Sequence, residues 1–181
     1  LKVDYLYLPS IIQIYPNGPS NNIKISPFGK KLCGKYRPGH FEAVVDVINR
    51  FIKIINPKKI FLGKKDMQQL IIVEHFVKKN YPNIKVIGCK TIREKNGAAY
   101  SSRNFFLSSN EKKIASKIYT YLKNKKQNLI KKKINLKVIR KNVFNLGASK
   151  IDYIQIININ KIIKPYKKNS KFRIFIAYYL R

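Results

Sequence analysis

The sequence predicts an α/β fold, a parallel sheet followed by a smaller α+β region, and three observations carry that prediction. Between residues 41 and 88 helical and strand-like periods alternate with short links, the pattern of parallel strands joined by crossover helices. Beyond residue 90 that rhythm gives way to a turn, one helical stretch and two strand-like segments, so a domain boundary is expected there, with residues 1–90 and 91–181 as the two parts. Apolar residues make up 45% and aromatics 12% of the 181 positions, which places the chain among globular sequences rather than disordered ones.

In chain order, "DYLYLPSI" (4–11) reads as a strand ended by proline, and "YPNGPSNN" (15–22) is turn chemistry throughout. Apolar residues at 41, 44, 45, 48, 51, 52 and 55 keep helical period, and Pro57 follows the end of that run. "KIFLG" (59–63) reads as a short buried strand, "DMQQLIIVEHFVKKN" (66–80) as a helix and "IKVIG" (84–88) as a further strand. Asn96-Gly97 marks a hairpin turn. Asn110 is placed to cap a helix over about 111–125, with Ile114, Ile118, Tyr121 and Leu122 on one face. "IDYIQIIN" (151–158) and "FRIFIAYY" (172–179) read as strands. No internal repeat is evident.

Charge is the loudest feature. Thirty-nine Lys and Arg against eight Asp and Glu give +31, the footprint of a nucleic-acid binder at first sight. The basic residues, however, run through the whole chain without forming one arm, the aromatics sit within apolar runs, and no nucleic-acid-binding signature is present. An excess of Lys alongside abundant Ile and Asn is what A+T-rich coding produces whatever the function. Specific nucleic-acid binding is therefore not expected, although sticking to polyanions at low salt is. No stretch reaches the eighteen or so apolar residues of a membrane span and no cleavable leader is visible, so a soluble cytoplasmic protein is expected. Cys33 and Cys89 lack metal-site spacing and read as buried, reduced thiols.

Three stretches carry possible chemistry. In "FLGKKDMQQ" (61–69), Gly63 ends a strand and lets a ligand approach the backbone. Lys64 and Lys65 then offer positive charge where a helix begins, which suits phosphate. Asp66 and Gln69 also stand at the spacing of a helix capping box, an alternative that needs no ligand. In "AAYSSRN" (98–104), two hydroxyls and a guanidinium suit a polyphosphate, and an ordinary polar loop would look the same. "YRPGHFEAVV" (36–45) sets Arg37 and His40 at the mouth of a helix, either for an anion or as a plain turn. His75, mid-helix, reads as a surface or rim residue.

Taken together, "YPNG", "RPGHF", "FLGKKDMQQL" and "TIREKNGAAYSSRN", in that order and spacing, closely resemble the pantothenate synthetase family, and "IDYIQIIN" and "RIFIAYY" resemble its closing domain. The resemblance implies a Rossmann-like, nucleotidylyltransferase-type domain, incomplete here at its N-terminal side, then a small C-terminal lid, and usually a homodimer. It also implies ligation of pantoate to β-alanine at the expense of ATP through a pantoyl adenylate, with Mg²⁺ on the phosphates. Gly63, Lys64, Lys65 and Asp66 would line the ATP site, with Lys65 catalytic through its charge on the α-phosphate and Asp66 on the ribose side. Gln69 matches the pantoate-binding glutamine and Ile92 the position whose backbone reads adenine. Tyr100, Ser101, Ser102 and Arg103 match the loop over the phosphates, Arg103 facing the departing diphosphate.

There are departures from the family pattern. Lys64 stands where the family usually has glutamate, Asn96 replaces aspartate, Ala98 leucine and Tyr100 methionine. A histidine motif of the HxGH kind and a second pantoate glutamine have no counterpart, so the sequence is expected to be part of a longer enzyme, nearly inactive by itself. Two other readings stand beside this one: a related adenylating enzyme for another hydroxy acid, and a degraded, non-enzymatic remnant that binds polyanions.

Overall fold

The computed structural model describes residues 2–20, 22–163 and 166–180; Leu1, Asn21, Lys164, Pro165 and Arg181 lie outside them. The chain divides into two compact units, Leu1–Leu62 with Asp66–Gly88, and Gly63–Lys65 with Cys89–Arg181.

The first unit opens with a correction. Residues 4–8 form no strand, and they are exposed, Tyr5 to 94% and Leu8 to 80%. A strand exists only through its partner, and no ladder among the described residues reaches this segment, so its β-forming side chains stay unpaired. The "PSI" that follows starts a short helix, α1 (Ile11–Ile14), because Ser10 and Gln13 close a capping box. The turn chemistry at 15–18 is realised: Gly18 sits at φ +74° and its N–H donates to the Tyr15 carbonyl at 3.1 Å.

After the single turn α2 (Cys33–Tyr36) comes α3 (His40–Ile55), which buries Phe41, Val45 and Ile52 and ends at Asn56 in the left-handed region, just before Pro57. Strand β1 (Lys59–Gly63) runs into a tight turn, then α4 (Met67–Asn80) and β2 (Lys85–Cys89). β1 and β2 are parallel neighbours, with the Lys85 N–H on the Lys58 carbonyl at 3.1 Å. The expectation of a buried β1 is corrected, since its residues alternate exposed and half-buried and Phe61 is 62% exposed. Among the described residues β1 has one neighbouring strand, so part of its surface stays open. α3 and α4 pack on each other, α3 burying Val45 and Ile52 and α4 burying Leu70, Val73 and Val77.

In the second unit the Asn96-Gly97 turn closes a hairpin of minimal length, one antiparallel bridge between Arg93 and Ala99. Gly97 is required twice: φ is +91°, and a Cβ there would lie 2.7 Å from the Tyr119 ring. α5 (Ser109–Ile130) is longer than the expected 111–125, and its cap is Ser108 rather than Asn110. Ser108 stands three residues before Glu111, so a capping box closes there at 3.2 and 2.6 Å and leaves Asn110 inside the first turn. α6 (Leu136–Asn145), capped by Asn135, was not anticipated; it buries Ile139 and Val143, four positions apart. β3 (Lys150–Asn158) and β4 (Phe172–Tyr179) pair antiparallel from Lys150↔Tyr179 to Asn158↔Phe172, with a register shift between Ile151 and Tyr153. Ile118, Leu122, Leu129, Ile139, Val143 and Ile151 form the core beneath the hairpin. No helix among the described residues is long and apolar enough to cross a membrane.

Candidate functional site

The turn after β1 is where the second unit takes up its first residues. Lys64–Asp66 make one tight 3₁₀ turn, which aims Lys65 away from the strand, and its Nζ donates to the Tyr100 carbonyl at 3.0 Å. Two stretches singled out by sequence, 35 residues apart, are thereby brought into contact.

The stretch that Lys65 meets is held from several sides. The Tyr100 N–H donates to the Ile92 carbonyl at 3.2 Å and the Glu94 N–H to the Ala98 carbonyl at 2.8 Å. Asn104 Nδ2 donates to Glu94 Oε1 at 2.9 Å and to the Ala99 carbonyl at 3.1 Å, which draws the two ends of the loop together. Arg93 donates to the Gly97 carbonyl at 3.0 Å while its guanidinium lies 3.8 Å from the centre of the Tyr119 ring on α5. The Ser116 hydroxyl donates to the Asn96 carbonyl. Glu94, Asn104 and Arg93 thus position the loop, and sequence reading missed all three. Glu94, one of only eight acids in the chain, was the available signal.

On this frame Ser101 caps the short 3₁₀ turn Ser102–Phe106, its Oγ accepting from the Arg103 N–H at 3.4 Å, and a hydroxyl that accepts can also donate. The Ser102, Arg103 and Tyr100 side chains are exposed. Tyr100, Ser101 and Ser102 line a cavity of about 500 Å³ together with Phe105, Asn104, Lys112 and Glu94, whose carboxylate is engaged by Asn104. Hydroxyls and an ammonium beside aromatic faces can take an anion joined to a flat ring. Ile92 is exposed at the start of the same loop.

The other expected residues belong to the first unit. Asp66 occupies the N-cap position of α4, but the capping box with Gln69 does not form: Asp66 sits at φ −93°, ψ 60°, away from the extended geometry of the caps that do form, and accepts no first-turn N–H. Its carboxylate is exposed, and Gln69 is half-buried one turn along. The neighbouring Gln68 was not anticipated. It is buried, donates to the Phe28 and Lys31 carbonyls at 2.9 and 2.7 Å, and accepts from the Cys33 N–H at 3.1 Å. Arg37 is exposed, and His40 begins α3. Burial, and then the Arg37 charge, hold the His40 imidazole below its ordinary 6.5. His75 is half-buried on α4, and the expectation of buried thiols is corrected: Cys33, opening the one-turn α2, is half-buried, and Cys89, at the end of β2, is exposed. Among the described residues no three His, Cys, Asp or Glu are grouped to hold a metal.

The profile of the family described as Pantoate-beta-alanine ligase matches residues 1–181. A pantothenate synthetase of Caldicellulosiruptor saccharolyticus is 32% identical over 98% of this chain and 65% of its own length. One of Clostridium botulinum (strain Okra / Type B1) is 37% identical over the same shares. Among solved structures, pantothenate synthetase from Thermus thermophilus superposes with a TM-score of 0.83 at 27% identity, covering 97% of this chain and 65% of that one. The pantoate-beta-alanine ligase of Francisella tularensis, complexed with beta-gamma ATP and beta-alanine, gives 0.69 at 34% identity over 92% of this chain and 57% of that one. The chain thus spans about 65% of the length of the curated relatives it matches, and its fold is of the nucleotidylyltransferase-like α/β type.

Proposed function

We propose, from the premise that this chain belongs to the pantoate-beta-alanine ligase family, that it serves the ATP-dependent joining of pantoate to β-alanine. The pantoate carboxylate attacks the α-phosphorus of ATP and diphosphate leaves; the β-alanine amine then attacks the acyl carbon of pantoyl adenylate and AMP leaves. No covalent enzyme intermediate is needed, so the protein's task is alignment and charge stabilisation.

The observation that carries this reading is the Lys65–Tyr100 contact, which gathers a cation and the hydroxyl loop at one place. An ammonium has three donors; one is used on the Tyr100 carbonyl, and the others meet the charge that builds on the α-phosphate. Ser101, Ser102 and Arg103 take the oxygens of the departing diphosphate, Arg103 as a two-pronged donor. Gly63 leaves the backbone approachable, Lys64 adds charge where the family usually has glutamate, and Asp66 accepts from the ribose. The Ile92 backbone reads adenine, beside which the Tyr100 ring stacks. Gln69 offers pantoate both a donor and an acceptor. Mg²⁺ would supply further positive charge to the phosphates; among the described residues no three His, Cys, Asp or Glu are grouped to hold it.

In this reading residues 1–90 belong to the nucleotide-binding domain and 91–181 to the closing domain of a cytoplasmic homodimer. The ATP and β-alanine complex of the Francisella relative supports the choice of substrates. The test is pantoate-dependent exchange of labelled diphosphate into ATP, without β-alanine, on the full-length protein. Exchange that needs pantoate, and that falls about 10²–10³-fold in Lys65→Met, is expected. Exchange supported equally by other hydroxy acids, or indifferent to Lys65→Met, overturns the reading.

A further inference from the structure

We propose that Glu94 is a positioning residue for the reaction: its carboxylate, acting through the Asn104 amide, fixes the stretch of chain whose carbonyl receives Lys65. The inference rests on the reading of residues 100–103 as the loop over the ATP phosphates, and adds to it a residue that acts only through others.

Glu94 is half-buried and seated by its own backbone, its N–H donating to the Ala98 carbonyl at 2.8 Å and its carbonyl accepting from the Gly97 N–H at 2.8 Å. Its two carboxylate oxygens face two amide donors, Asn104 Nδ2 at 2.9 Å and, more weakly, Asn96 Nδ2 at 3.4 Å. The Asn96 amide is oriented, because its Oδ1 accepts from the Ala98 N–H at 2.9 Å. A carboxylate offers two acceptor oxygens and no donor, so a glutamine at this position would answer one amide and not both. Asn104 passes the constraint on. Its Nδ2 also donates to the Ala99 carbonyl at 3.1 Å, and its main-chain N–H donates to the Ser101 carbonyl at 3.0 Å. The chain is thus gripped on both sides of Tyr100, the residue whose carbonyl takes the Lys65 ammonium at 3.0 Å.

The charge on Glu94 has no role as a counter-ion. Among the described residues it pairs with no lysine or arginine, in a chain that has 39 of them. It also lines the same cavity as Ser101, Ser102 and Lys112, where a negative group works against a polyphosphate. Bonded there to neutral amides, it serves the site through geometry.

The test uses the full-length protein with Glu94→Gln, Asn104→Ala and the double variant. Loss of a negative charge by itself would tighten ATP and leave turnover as it was, whereas loss of position lowers turnover. Expected in Glu94→Gln is a fall of about tenfold in the kcat of pantoate-dependent diphosphate exchange, with the KM for pantoate and the circular dichroism melt unchanged. Asn104→Ala should fall as far or further, and the double variant no further than Asn104→Ala, since the two residues act in series. Amide hydrogen exchange followed by NMR should quicken in Glu94→Gln at Tyr100 and Asn104 and not at Ile118 in α5. An unchanged kcat in folded Glu94→Gln overturns the proposal, as do independent, multiplying effects of the two substitutions or a lower KM for ATP as the sole effect. A wild-type protein without pantoate-dependent exchange would remove the proposed function instead. The amide measurement then decides whether Glu94 holds the loop: faster exchange upholds it, and an unchanged pattern overturns it.

Discussion

The two units hold their irregular chain by different means. In the first, polar side chains with several partners do it. Arg50 pairs with Asp46 at 3.1 Å and donates to the Ile14 and Gly18 carbonyls at 2.8 and 2.9 Å, while Asp46 accepts from the Ser20 N–H at 3.0 Å. Gln68 does the same for residues 28–33. In the second unit Asn104 and Arg93 do so only for the loop at 92–104, and elsewhere a hairpin closes over one apolar cluster beside capped helices. The difference teaches that a segment without its own hydrogen-bond ladder is held wherever a buried side chain can answer its backbone groups. A segment with a ladder needs only a surface to lie on.

That contrast can be broken most strongly at Ile139, which is fully buried. Ile139→Ala should cost about 2–5 kcal/mol in urea unfolding of the full-length protein, whereas Leu8→Ala, in the exposed segment, should stay within about 0.5 kcal/mol. Equal effects would mean that the apolar cluster is not what holds the second unit. Next in size is Gln68→Ala, which strands the Cys33 N–H and two carbonyls and should cost about 2–3 kcal/mol. Its neighbour sharpens the point. Gln69→Ala should leave the melt nearly unchanged and lower pantoate-dependent exchange, so a swap of those two outcomes would exchange the residues' roles.

Smaller still is the comparison of caps. Ser108→Ala should cost about 1 kcal/mol because a formed box is lost, and Asp66→Ala almost nothing in stability, since no cap hydrogen bond exists there. The smallest effect belongs to His40. Its pKa in the fold lies below the 6.5 of the unfolded chain, so the unfolded state takes up the proton first. The contribution is complete above about pH 6.5 and falls away as pH drops from there through the lowered value. His40→Gln should flatten that part of the stability profile, and a profile unchanged by the substitution would place the acid sensitivity elsewhere.

α3, α4, β3 and β4 were legible from sequence because their apolar residues repeat at a period that local geometry alone sets. α6 was not, since Val138, Ile139, Val143 and two asparagines give it little helical preference, and packing against β3 sustains it. The "DYLYL" segment misled for the opposite reason: its residues favour a strand, and a strand needs a neighbour. Similar limits apply to the candidate site. Lysines, hydroxyls and an arginine at strand and helix ends could be read off as phosphate chemistry, because residue type and position are local. Which carbonyl Lys65 meets and which of two adjacent glutamines is buried were decided by tertiary structure alone. Each depends on atoms brought together from distant parts of the chain, and no local preference encodes that meeting.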